Sequence, residues 1–241
     1  MRVAIISDIH SNYVSLEAVF CDIDQQNVDQ IICLGDIVGY GPAPNECVDL
    51  VRERADVCLM GNHYAAAAGL DSIETFNVFA KDAILWTQKV LTEKTRDYLS
   101  GLPFVHTSPD AVYVHSSPDR PEEWNYIVSV YDAQNQFLHF GAQVCFVGHT
   151  HVGVIFVQNQ FSHKISREKT LELNQNERYI INVGAVGQPR DYDSAASYGI
   201  WDTDSNKFVY RRIEYDIPLT QFQMEQAGLP QYLIERLGDG R

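Results

Sequence analysis

Apolar runs and amphipathic stretches alternate along the first third of the chain. The runs at 3–7 (VAIIS), 31–35 (IICLG) and 56–61 (DVCLMG) are short, rich in aliphatic residues and without polar alternation. That pattern predicts strands buried on both faces. Between the first two, Val14, Leu16, Ala18, Val19 and Ile23 supply the apolar positions of a helix beginning near Tyr13, with Asn12 available as its cap. Pro44 is placed to open a second helix running through Val48 and Val51. Strand, helix, strand, helix, strand in that order predicts parallel strands joined by crossover helices. From Asn77 to about Leu99 the spacing is helical again, with Val78, Phe79, Ile84, Leu85, Val90 and Leu91 as its apolar positions. Strands return at 111–117, 143–149, 154–161, 178–186, 197–204 and 207–216, and their turn-like links predict antiparallel pairing. The polar stretch 162–177 reads as a mobile hairpin or loop, and residues from Pro218 onward as one or two helices. Together these elements predict an α/β fold: a four-layer α/β/β/α sandwich of two mixed sheets. It forms a single domain with its core in 1–216 and peripheral helices in 217–241.

Composition narrows the possible partners. Acidic residues outnumber basic ones 32 to 18, a formal charge of −14. Such a surface repels nucleic-acid polymers and anionic membranes, yet a small phosphorylated substrate remains admissible where bound cations dominate the local field. The five cysteines (21, 33, 47, 58, 145) form no C-x-x-C pair, and several lie in apolar runs. They therefore predict neither a disulfide framework nor a zinc knuckle, and favour a reducing, cytoplasmic setting. The N-terminal apolar run is too short for a signal peptide, and no stretch approaches the length of a membrane span. A homodimer through an exposed strand edge is compatible with the pattern.

The polar residues that end the strands carry the chemistry. Asp8-x-His10 follows the first strand, Gly35-Asp36 the second and Gly61-Asn62-His63 the third; His115 and Gly148-His149-Thr150-His151 follow two later ones. Ligands of α/β sheets bind at the carboxyl ends of strands, so these residues can converge on one rim. Asp, His and Asn offer oxygen and imidazole nitrogen, a donor set suited to Mn, Fe, Co, Ni or Zn.

Taken in order, D-x-H, G-D, G-N-H, a lone H and G-H-x-H resemble the calcineurin-like metallophosphoesterase superfamily, from residue 3 to about 202. The stretches GDIVGYGPAPNE and INVGAVGQPRDYD resemble its small single-domain bacterial and archaeal phosphodiesterase branch. The resemblance implies two divalent metal ions, manganese favoured. One would be held by Asp8, His10, Asp36 and His151, the other by Asp36, Asn62, His115 and His149. Asp36 would bridge them, giving one oxygen to each. A metal-bridging hydroxide would attack phosphorus in line, and His63, not itself a ligand, would protonate the leaving group. Relatives mostly place Asp or Glu after G-N-H; here Tyr64 stands there, and a phenol can orient an imidazole without holding its charge.

Plainer readings stand beside each role. Asp8 can be a turn residue, Asn62 a helix cap, and His115 a structural histidine. His106, His139 and His163 fit no motif. Arg190 suits bidentate phosphate recognition but can equally pair with Asp191 or Asp193. Asn12 can touch phosphate or cap its helix. The resulting expectation is a phosphoesterase acting on phosphodiester or nucleotide bonds. The alternatives are a phosphomonoesterase or protein serine/threonine phosphatase, and a non-catalytic metal-binding scaffold of the same fold. The loop after Asp36 reads IVGYGP and lacks the D-R-G arginine of protein phosphatases.

Overall fold

The computed structural model describes residues 1–74 and 76–241. Among the described residues, twelve strands form two six-stranded mixed sheets. The first has the order β3-β2-β1-β11-β12-β9, from Val57–Cys58, Gln30–Cys33, Arg2–Ile6, Ala196–Asp202, Lys207–Ile213 and Thr170–Glu172. The second has the order β4-β5-β6-β10-β7-β8, from Val105–Thr107, Ala111–Val114, Val144–Val147, Arg178–Asn182, Val154–Gln158 and His163–Ser166. The two sheets pack face to face with helices outside, the expected α/β sandwich.

Alternation along each strand explains why the apolar runs are continuous. Val3 and Ile5 of β1 join Ile32, Tyr113, Phe146, Ile181 and Phe208 between the sheets. Their neighbours Ala4 and Ile6 face the other way, onto α1 (Tyr13–Ile23) and α2 (Pro44–Arg54), where Leu16, Val19, Phe20, Val48 and Val51 meet them. Side chains on a strand alternate between faces, so a strand covered on both must be apolar throughout. On the outer side of the second sheet, Cys145 and Val147 pack with Ala133 and Phe137 at α6 (Val130–Gln136).

Several expectations change. β1, β2 and β3 are parallel as expected, but β5, β6 and β10 are parallel too. Neighbours joined by short turns, such as β11 and β12, run antiparallel as the turn signals implied, and so do pairs far apart in the chain, such as β1 with β11 and β9 with β12. The helical stretch 77–99 is two helices, α4 (Val78–Val90) and α5 (Glu93–Ser100). The break comes where Leu91 turns extended and the Thr92 hydroxyl accepts from the Thr95 amide, starting a new helix. α6 was hidden by its brevity, although Ser129 and Asp132 form a reciprocal capping box. Residues 162–177 are not a loose hairpin: β8 extends the second sheet and β9 the first. The C-terminal helices α7 (Ile217–Gln226) and α8 (Gln231–Asp239) pack with Tyr40 and with Ala80 and Ala83 of α4. No described helix is long and apolar enough to cross a membrane.

Candidate metal centre

Because β1, β2, β3, β5 and β6 run parallel within their sheets, the residues that follow them emerge at corresponding ends. Asp8, His10, Asp36, Asn62, His63, His115, His149 and His151 are all buried there, none more than 7 % exposed. Three groups have ligand atoms within 4.8 Å of one another: Asp8, His10 and His151; Asp36, His115 and His149; and His10, Asp36 and His63. Asn62 joins through its Oδ1, 3.3 Å from His115 Nε2. The structure thus brings together every residue expected as a ligand, and sets His63 against the same cluster.

The chain bends sharply to do this. Asp8, His10, Asp36, His149 and His151 all have left-handed backbones, with φ between 48° and 66°. For residues bearing a Cβ this costs about 1–2 kcal/mol each, and such strain gathers at functional sites. Gly61 serves by having no side chain. A Cβ there would lie 2.8 Å from Asp36 Cγ, and nearer still to the Asp36 Oδ1 and amide nitrogen.

Backbone carbonyls fix the histidine tautomers. His10 Nδ1 lies 3.2 Å from the Val38 carbonyl and His151 Nδ1 2.7 Å from that of Gln188. A carbonyl can only accept, so each Nδ1 carries the hydrogen and each Nε2 a lone pair. Those two Nε2 atoms sit 3.0 Å apart. At His149 the arrangement is reversed: Nε2 faces the Trp124 carbonyl at 3.0 Å, which leaves the lone pair on Nδ1. Outer-sphere contacts of this kind orient imidazoles towards a metal.

Each carboxylate is similarly divided. Asp8 Oδ2 accepts the His149 amide and Asp36 Oδ1 the His63 amide, both at 2.9 Å. Asp8 Oδ1 and Asp36 Oδ2 are buried with no hydrogen-bond partner. Asp36 Oδ2 is 3.8 Å from His10 Nε2 and 3.3 Å from His115 Nε2. One oxygen therefore faces both groups, while the other accepts from the backbone.

Burial works against ionising Asp8 and Asp36, yet the neighbouring histidines hold both below the usual carboxylate range. Burial also opposes a charge on His115, but Asp36 and Asp8 beside it push it up to about 9. Burial lowers His149 to about 3, and His63, despite Asp36, to about 4. The side chains of the centre thus combine two carboxylates with few protons, and orphaned oxygens face uncompensated lone pairs. Divalent cations fit this donor set.

The residues around the centre sort themselves. Arg190 does not pair with Asp191 or Asp193; Arg212 takes both. Its NH2 group donates to Gln188 Oε1 at 3.0 Å, and the side chain lines a cavity of about 500 Å³ with Asn62, His63 and His149. Asn12 is committed to the fold. Its Oδ1 caps α1 through the Ser15 amide and accepts from Thr220, while its Nδ2 donates to the Gly187 carbonyl. The cap reading therefore holds, and the contacts named run to the chain itself. Tyr64 does not orient His63. Successive helical residues point about 100° apart, and Tyr64 turns into the core, its hydroxyl donating to the Arg96 carbonyl at 3.4 Å. Tyr40, Phe76, Trp124 and Tyr126 line the cavity with Asp71, Glu122 and Glu123. The three tautomer-fixing carbonyls had no sequence signal, since every residue carries one.

A set of oxygen and imidazole donors at the carboxyl ends of strands from two facing sheets defines a class, and comparison bears on it directly. A family model described as calcineurin-like phosphoesterase matches residues 1–153, and the chain belongs to that family. It is 38% identical over 243 residues to the uncharacterised protein MJ0912 of Methanocaldococcus jannaschii, covering 99% of this chain and 98% of that one. It is also similar to the crystal structure of a metallophosphoesterase from Sphaerobacter thermophilus. That match has a TM-score of 0.87 at 43% identity and covers 100% of this chain and 99% of the other. The hypothetical protein PH1004 of Pyrococcus horikoshii shares the fold, with a TM-score of 0.82 at 16% identity, over 100% and 98% of the two chains. Family membership makes the chain a metal-dependent phosphoric ester hydrolase.

Proposed function

We propose that the chain hydrolyses phosphodiesters of small aryl or nucleoside alcohols with two divalent ions. Asp8, His10, Asp36 and His151 would hold one ion, and Asp36, Asn62, His115 and His149 the other, with Asp36 common to both. The observation that carries this reading is the 3.0 Å approach of His10 Nε2 to His151 Nε2, with both outer nitrogens occupied by carbonyls. Two lone pairs at that distance repel unless a cation lies against both. The donor set contains no thiolate, which favours manganese or a similar ion.

Bound there, the ions would polarise a phosphoryl oxygen and supply a water reactive at neutral pH. The chain's own residues do the rest. Arg190 offers its guanidinium to a phosphoryl oxygen with no carboxylate competing for it. His63, held neutral by burial, presents an N–H to the leaving oxygen. The cavity beyond carries Asp71, Glu122 and Glu123 against the cation Arg190, and has aromatic walls. A singly charged diester with a flat leaving alcohol suits those walls better than a dianionic monoester or an oligophosphate.

The test uses protein stripped of metal and reloaded with manganese, assayed on p-nitrophenyl phosphate and bis-p-nitrophenyl phosphate. Preferential turnover of the diester is expected. Preference for the monoester would move the reading to a phosphomonoesterase, and silence on both would favour a scaffold. His63→Ala should lower turnover with metal content unchanged; release of an ion would make His63 a ligand.

A further inference from the structure

We infer that Tyr40, backed by the C-terminal helices, is the positioning residue that holds His63 and Arg190 against the substrate; this rests on the hydrolase reading above. His63 needs such a support. Its Nδ1 is buried without a hydrogen-bond partner, and no described carboxylate reaches either ring nitrogen within hydrogen-bond distance. Packing alone therefore sets the ring's angle. The nearest ring to it is Tyr40, with centroids 4.3 Å apart; His10 follows at 4.8 Å and Phe76 at 5.1 Å. The same phenol ring lies 4.7 Å from that of His10 and 5.6 Å from the Arg190 guanidinium carbon. Tyr40 thus touches three members of the site and stands between the two groups assigned to the phosphoryl and leaving oxygens.

Tyr40 is placed there at a cost and is held from behind. Its backbone is left-handed, φ 55°, and it follows Gly39, φ 101°, where a Cβ would come within 2.8 Å of His63 Nδ1. The ring is only 5 % exposed. Its backing is a cluster that includes Ala83 of α4, Met224 of α7, and Leu233 and Leu237 of α8. The end of the chain also ties down the Arg190 loop, since the Tyr192 amide donates to the Gly240 carbonyl at 2.9 Å. All of this support from α7 and α8 lies beyond the stretch matched by the family model, residues 1–153. The terminal helices are therefore the rear wall of the site.

In the step concerned, a water-derived oxygen bonds to phosphorus, the bond from phosphorus to the leaving oxygen breaks, and that bond's electron pair passes to the leaving oxygen. The oxygen receives a hydrogen bond from the His63 N–H. A poor leaving group depends on that bond more than a good one, which gives the assay. Manganese-loaded full-length chain is measured on methyl p-nitrophenyl phosphate and methyl phenyl phosphate, with bound metal counted in each variant. Tyr40→Ala should lower kcat on the phenyl ester about 100-fold, the loss typical of a misplaced group. On the p-nitrophenyl ester the loss should stay under about tenfold, with metal content kept. Tyr40→Phe, which retains the ring, should stay within about threefold of wild type on both. Leu237→Ala, remote from the reacting atoms, should reproduce the same skew more weakly. Equal losses on the two esters, in Tyr40→Ala or in Leu237→Ala if the former does not fold, would overturn the inference, as would loss of metal. A wild-type chain inert on both esters would instead remove the hydrolase reading, and this inference with it.

Discussion

Replacing Gly61 with alanine adds one methyl group at the point where the backbone presses on Asp36. The Cβ would stand 2.8 Å from Asp36 Cγ, with Oδ1 and the amide nitrogen closer still. Non-bonded carbons rest at about 3.5 Å or more, so the carboxyl carbon must retreat roughly 0.7 Å. Gly61 itself has φ −121° and ψ 163°, which alanine adopts freely, so the effect is one of space alone. The retreat stretches the bond from the His63 amide to Asp36 Oδ1, now 2.9 Å, and moves the oxygen that faces both metal groups. Metal sites tolerate deviations of about 0.2 Å. Affinity for manganese should fall by at least about 10- to 100-fold. At saturating metal that removes about 1.4–2.7 kcal/mol of ligand-linked stability. Overpacking adds about 1–3 kcal/mol in the metal-free chain. Elemental analysis after dialysis, with thermal melts in chelator and in manganese, separates the two effects. Gly141→Ala, where a Cβ meets nothing within 4 Å, is the control. If Gly61→Ala kept both ions as tightly as the control, Asp36 would not be the shared ligand.

Other expectations follow from the same geometry. Arg190→Ala should raise KM for a diester about 10- to 100-fold through loss of a charge-assisted hydrogen bond, with metal content unchanged; a drop in bound metal would show that it serves the fold of the centre. The metal-free chain should be most stable near pH 6.5. Below it, buried His63 (about 4) and His149 (about 3) take up protons more readily when unfolded, so stability rises with pH. Above it, His115 (about 9) loses in the native state a proton that the unfolded chain has already lost, so stability falls as pH climbs to about 9. Urea melts at pH 5, 6.5 and 9 check both arms, and a profile flat across 5–9 would refute the assigned charge states. Ser11→Gly relieves a left-handed residue (φ 57°) and deletes a buried hydroxyl without a partner. It should raise the melting point, a gain of up to about 1 kcal/mol net of the greater freedom of the unfolded chain.

The sheets and the rim were readable because the physics that builds them is local. A strand covered on both faces must be apolar throughout, so VAIIS, IICLG and QVCFVGH announced themselves, and the polar residue ending each run marked the edge where chemistry gathers. Strand direction was readable only in part: β1 to β3 follow their crossover helices, but β6 and β10 are parallel across a long path that periodicity does not register. The supports were not readable. The Val38, Trp124 and Gln188 carbonyls fix three imidazoles, yet they are backbone groups of which the side chains give no sign. Asn12 and Tyr64 were ambiguous for the opposite reason, since each side chain can serve either the fold or the site. Only the direction in which each points, set by α1 and by α3 (Asn62–Ala67), decides between the two.

The ribbon from β8 to β9 has a mechanical meaning. It leaves the last strand of one sheet and becomes the last strand of the other, with exposed Arg167, Glu168 and Lys169 in the passage between them. The two layers are thereby sewn along one border, so neither can slide far over the other without peeling a ladder. Because the rim draws donors from both layers, this seam keeps the two halves of the centre in register. A protease nick after Arg167 would leave every donor in place, and the other sheet-to-sheet links, such as β10 to β11, with them; it would remove the tie along this one border.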